Sequence, residues 1–128
     1  MRDLVHNLGV VNALSSAVQA ASVKTSAVDT KGYGSVMLTV NTGAIASSGN
    51  FTAVLEESDT TTDGDFTTAA AGVTLGSIAN PLTADGAFKI GYVGYKRYVR
   101  LNFTKNSGTS VAFGVTAILD HPASAPVA

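Results

Sequence analysis

Between residues 26 and 119 apolar and polar side chains alternate with a period of two, again and again, and that period belongs to strands. Val36, Leu38 and Val40 fall on one face of residues 35–41, with Met37 and Thr39 on the other. Residues 51–57 set Phe51, Ala53 and Leu55 against Thr52, Val54 and Glu56. Phe88, Ile90 and Tyr92 share one side of residues 87–93. In residues 97–104, Val99, Leu101 and Phe103 face inward while Tyr98, Arg100 and Asn102 face outward. Residues 111–119 repeat the pattern with Val111, Phe113, Val115, Ala117 and Leu119. Shorter strands are expected at 27–30, 66–71 and 73–78. The 15 Thr and 15 Val suit pleated, half-buried surfaces.

Turn signals punctuate these runs: Lys31-Gly32-Tyr33-Gly34, a Gly- and Ser-bearing loop over 42–50, the polar stretch 58–65, Asn80-Pro81, Asp85-Gly86 and Asn106-Ser107-Gly108. Parallel strands would need helical crossovers, and the interior of the chain offers none. The pattern predicts an all-β fold, a two-sheet antiparallel β-sandwich over residues 26–120, with a jelly roll as one wiring and a small barrel as the alternative.

The two ends read differently. Leu4, Val5, Leu8, Val11, Leu14 and Val18 recur at three- and four-residue steps, the spacing of one helix face. Gly9, Asn12 and Ser15-Ser16 weaken such a helix. Residues 1–25 are therefore expected as an N-terminal arm or short helix, with Leu4, Leu8, Val11 and Leu14 as interface candidates. At the other end, Pro122 and Pro126 should keep residues 121–128 out of the sheets as a tail.

Charge narrows the function classes. Charged residues make up 13% of the chain, with eight basic residues, nine acidic ones and a net charge of −1. A protein that wraps a nucleic-acid backbone needs a dense cationic footprint, so no nucleic acid is expected as a partner. No apolar run approaches the length needed to cross a bilayer, and the polar start argues against a secretory signal. So little charge suits a subunit that works docked on neighbours.

Chemistry finds few footholds. With no Cys and two His, thiolate sites, Cys nucleophiles and a His-rich metal centre are excluded within one chain. Glu56, Glu57, Asp59, Asp63 and Asp65 cluster in sequence, but their spacing matches no calcium loop. A glycosidase pair would need a groove of sugar-binding aromatics, and there is no Trp. No Gly-x-Ser-x-Gly elbow supports a Ser-His-Asp triad, and Gly91-Tyr92-Val93-Gly94 lacks the remainder of a phosphate loop. No catalytic residue, cofactor or metal is expected.

The most distinctive stretch is residues 89–100, which holds three of the four Tyr and four of the eight basic residues. Basic and aromatic residues interleaved in this way can stack on bases and neutralise phosphates. A structural use is favoured: Lys96, Arg97 and Arg100 can bond carboxylates across a bend at Gly91 and Gly94, with residues 56–65 as the natural partner. Tyr95, Arg97, Tyr98 and Arg100 complete the interface candidates.

The run Gly91-Tyr92-Val93-Gly94-Tyr95-Lys96-Arg97-Tyr98-Val99-Arg100 resembles a strand pair of small tailed-bacteriophage structural proteins. Ala27-Val28-Asp29-Thr30-Lys31-Gly32-Tyr33 and Phe51-Thr52-Ala53-Val54-Leu55-Glu56-Glu57-Ser58-Asp59 are similar to the same family, as is Asn12-Ala13-Leu14, so the resemblance covers about residues 12–104. It implies a virion component, a capsid decoration (cement) protein that self-associates on the head surface, with a trimer favoured. Its partners would be the major capsid protein or other virion proteins. A tail or head–tail component, and a carbohydrate-binding sandwich using exposed Tyr, are the alternatives.

Overall fold

A computed structural model describes residues 3–123; the Pro126 part of the expected tail lies outside the described residues. Ten strands follow in chain order: β1 (Gly9–Gln19), β2 (Val23–Lys24), β3 (Val28–Asp29), β4 (Tyr33–Ala46), β5 (Asn50–Ser58), β6 (Thr67–Thr68), β7 (Thr74–Ser77), β8 (Ala87–Tyr92), β9 (Tyr98–Ser107) and β10 (Ser110–Pro122). They form two antiparallel sheets. Sheet I runs β1-β10-β4-β8-β7, and sheet II runs β2-β9-β5-β6 with β3 also paired to β9. The chain is a β-sandwich.

The period-two alternation is what closes it. Val36, Leu38 and Val40 of β4 and Val111, Phe113, Val115, Ala117 and Leu119 of β10 point from sheet I into the space between the sheets, where all are buried. Phe51 and Leu55 of β5 and Val99, Leu101 and Phe103 of β9 meet them from sheet II. Phe113 touches both opposing phenylalanines, with centroids 5.5 Å from Phe51 and 4.5 Å from Phe103. Such offset and edge contacts add to the area burial of three large rings.

The N-terminal region departs from the expected arm or helix. From Gly9 onward it is the edge strand of sheet I, paired with β10 from Gly9↔Leu119 to Gln19↔Val111. The helix-like spacing has a physical cause. Two register shifts each add one residue to β1, so Val11, Leu14 and Ala17 step by three while their partners Ala117, Val115 and Phe113 step by two. A bulge thus accounts for the three-residue step from Val11 to Leu14, while Leu4, Val5 and Leu8 precede the strand and Val18, paired with Ala112, faces the other way. Residues 23–24, also assigned to the arm, form β2 against β9. Among the described residues, 3–8 precede the sheet, with a turn in which the Asn7 and Leu8 amides donate to the Leu4 carbonyl at 3.2 and 3.1 Å.

Two further boundaries move. The loop expected over 42–50 shrinks to residues 47–49, because β4 continues to Ala46; Ser47 and Ser48 at φ 47° and 59° make the reversal. β10 likewise runs past the expected end of the domain, pairing Pro122 with Tyr33, so the tail does not leave the sheet at residue 120. Pro122 is tolerated there because it is the last residue of its strand. Between β9 and β10 the chain turns at Gly108, where φ is 76° and a Cβ would run into the Ser48 carbonyl oxygen. Only glycine meets both demands.

Candidate interaction surfaces

The basic–aromatic segment and the acidic stretch meet within one chain. β9 lies beside β5 with Arg100 opposite Glu56. The Arg100 guanidinium donates through Nε to Glu56 Oε1 and through Nη1 to Asp63 Oδ1, both at 2.7 Å, and it lies 3.9 Å over the Phe66 ring. Although its place in the strand points it outward, Arg100 is only 7% exposed, because the 58–66 segment folds back over it. Lys24 Nζ reaches the same Asp63 carboxylate at 3.1 Å. Arg100, and then Lys24, hold the Asp63 carboxyl below its ordinary range.

The remaining members pair off in the same way. Arg97 grips Asp29 of β3 with two donors, Nε at 2.9 Å and Nη2 at 2.8 Å, and this fork holds the Asp29 carboxyl down to about 2. Lys96 Nζ donates to Asp59 at 2.8 Å. The Tyr92 hydroxyl donates to Glu57, and the Lys96 amide donates to that hydroxyl at 3.1 Å. Asp65 accepts from the Thr60 hydroxyl at 2.6 Å. Every carboxylate of the 56–65 stretch therefore already has a partner, and each cation from 96 to 100 is bound to an acid. The chemical capacity of this cluster is spent on holding loops to sheet II.

The interface candidates are not gathered into one site. Leu4 is 65% exposed in the first turn, Leu8 is half-buried, Val11 lies on exposed edge strand β1, and Leu14 packs against the core. Tyr95, Arg97, Tyr98 and Arg100 belong to the β8–β9 connection and to β9 on the other sheet. Of these only Tyr95, at 88% exposure, stands free of the protein surface; Arg97 and Arg100 are engaged as described.

The surface that sequence reasoning passed over is the outward face of sheet I. Registers place Val10, Ile118, Met37, Gly91 and Leu75 side by side in one row across all five strands. The next row along the strands reads Asn12, Thr116, Thr39, Lys89 and Ser77. Across the outward positions of sheet I the charges are Lys89 and Asp120. Two hollows flank Met37. One of about 310 Å³ is lined by Met37, Leu75, Gly91 and Val93; the other, of about 260 Å³, by Leu8, Met37, Ile118 and Asp120. The signal was present in the sequence: Met37 and Thr39 alternate with the core residues of β4, and such a second face is normally more polar.

No protein-family model matches this sequence, and a search of curated proteins finds no match. The surfaces must be read on their own chemistry. At the rim of the sheet I face the Ser35 hydroxyl and His121 Nδ1 lie 2.8 Å apart, on an imidazole that is 75% exposed; among the described residues no group of three His, Cys, Asp or Glu converges on a point that could hold a metal ion.

Proposed function

We propose that this chain is a structural subunit of a tailed-phage virion, a capsid decoration protein that works by covering surface rather than by chemistry. One observation carries the reading: the charge is distributed unequally between the two faces. Lys96 and Arg100 are paired with acids of 56–65, and Arg97 with Asp29, on sheet II and its loops, while the outward face of sheet I and its edge strand β1 are almost uncharged. Val10 and Val18 on β1 are each 69% exposed, and β1 contains neither charge nor proline. Isolated soluble proteins normally guard such edges. An unguarded edge and an apolar row are what a subunit docked in a larger assembly presents. The sequence resemblance supplies the kind of assembly.

The test is composition and position. Phage particles released by a host that encodes this chain should contain it in many copies, and immunogold labelling should mark the head surface. Label confined to the tail would replace the decoration role with that of a tail component. Particles lacking the chain would sink the virion reading.

A further inference from the structure

We infer that the outward face of sheet I is covered by a second copy of the same chain, packed face to face about a two-fold axis through Met37. The inference deepens the virion reading, on which it rests for its biological use.

Two charges on this face, Asp120 and Lys89, fix the geometry. Asp120 on β10 lies opposite Ser35 of β4, and Lys89 on β8 lies opposite Thr39. β10 and β8 flank β4 on its two sides. Asp120 and Lys89 are therefore displaced equally and oppositely from Met37, by one strand and two residues each. Strand spacing puts them about 16 Å apart. Consider a two-fold axis lying in the interface, passing through Met37 and perpendicular to the line between these charges. It brings Lys89 of each copy onto Asp120 of the other. A face with two charges of one sign could not do this, and here the axis that exchanges the charges also passes through Met37.

The charges are available for such pairing. Among the described residues Lys89 forms no ion pair, and Asp120 meets only its neighbour His121, whose ring nitrogen is 3.9 Å away and whose amide donates at 2.7 Å. The relief is self-complementary too. Met37 stands between the two hollows, so the same axis that superposes the charges sets each Met37 against its counterpart, beside the hollows of the opposing copy. Methionine adapts well to contacts of this kind. Gly91 keeps one hollow open: no side chain rises between Met37 and Leu75 in that row.

Five strands and about six residues per strand give a footprint of roughly 500 Å² per copy, near the lower limit for a specific interface. The dimer is therefore expected to be reversible and concentration-dependent.

The experiment is analytical ultracentrifugation of the purified full-length chain at physiological salt, over about 1–300 μM, the range that so small a footprint implies. The natural protein should dimerise. Lys89→Asp and Asp120→Lys should each weaken the dimer at least about tenfold, because like charges would then face one another. An equimolar mixture of these two variants should form heterodimers, since every facing pair is then opposite in sign. Met37→Arg should give a monomer, and thermal melting of each variant checks that the fold survives. A natural protein that stays monomeric overturns the inference. So does a dimer or trimer indifferent to all three substitutions, or a mixture of the charge variants that fails to associate. A monomeric chain found on particles removes the two-fold alone; a dimeric chain absent from particles removes the virion reading alone.

Discussion

Tyr92 of β8 and Glu57 of β5 tie the two sheets together: the phenol of one sheet donates to the carboxylate of the other at the edge of the core. Burial first, and then this bond, push the Tyr92 hydroxyl up to about 12. The neutral phenol is thus favoured in the folded state. Its contribution is complete below the unfolded value near 10 and is lost as pH rises through about 12. Tyr92→Phe should lower stability by about 1–3 kcal/mol at neutral pH, since it leaves Glu57 and the Lys96 amide without that partner. The variant should also lack the part of the alkaline decline that falls between pH 10 and 12. Denaturant midpoints measured across that window check both.

Arg97 and Arg100 are three residues apart and both salt-bridged, yet their removal should differ in scale. Arg100 is buried against Glu56 and Phe66, so Arg100→Ala strands a partly desolvated carboxylate and should cost about 3 kcal/mol. For a domain of this size that is a fall in melting temperature of roughly 10 °C. Arg97 and Asp29 are each nearly half exposed, and Arg97→Ala should shift melting by much less. Neither the natural chain nor the variants should be retained on DNA at physiological salt, because the cations at 96, 97 and 100 are already neutralised. A salt-sensitive DNA complex, with melting unchanged in both variants, would show instead that these arginines grip phosphates.

That the basic segment would bond the acids of residues 56–65 was legible for Lys96 and Arg100, Arg100 and Glu56 both lying on outward positions of strands whose alternation is clean, whereas Arg97 pairs instead with Asp29 of β3. The same alternation in β4, β9 and β10 announced the sandwich and most of its core. What remained hidden has two causes. In β1 a bulge set Val11 and Leu14 three residues apart on one face, so they joined Leu4, Val5, Leu8 and Val18 in an apparent helix stripe, although Val18 pairs with Ala112 and faces the other way. On sheet I, Met37, Ile118 and Leu75 are far apart in sequence and are made adjacent only by strand order, which periodicity does not encode. The partial burial of Arg100 was likewise invisible, because it depends on how residues 58–66 fold back.

Acid should test the Arg97–Asp29 fork directly. The Asp29 carboxyl is held near 2, chiefly by its bonds to Arg97, so the folded state favours the ionised form. That stabilisation is complete above the unfolded value near 4 and is lost as pH falls toward about 2. Solvent reaches both groups, so the effect should be modest. Stability of the natural chain should decline between pH 4 and 2, and the Arg97→Ala variant should decline less over the same interval. Equal declines would mean that the fork contributes nothing measurable.

Truncation separates the two parts of the N-terminal region. Residues 3–7 form an exposed turn outside both sheets, so removing residues 1–7 should leave melting nearly unchanged. Removing residues 1–20 deletes β1. That exposes the ladder groups of β10 from Val111 to Leu119, and it removes buried Ala13 and the packing of Leu14 on the core. It also breaks the bond by which the Ser26 amide reaches the Ala13 carbonyl at 2.9 Å, a link between β1 and the segment leading into β3. The losses fall on a central strand of the sandwich, because β10 would become an edge lined with Val, Phe and Leu. The longer truncation should therefore unfold or aggregate, where a detachable arm would have left a stable domain. Circular dichroism melts of the two truncations decide it: a folded, cooperative domain lacking residues 1–20 would show that β1 is dispensable to the core.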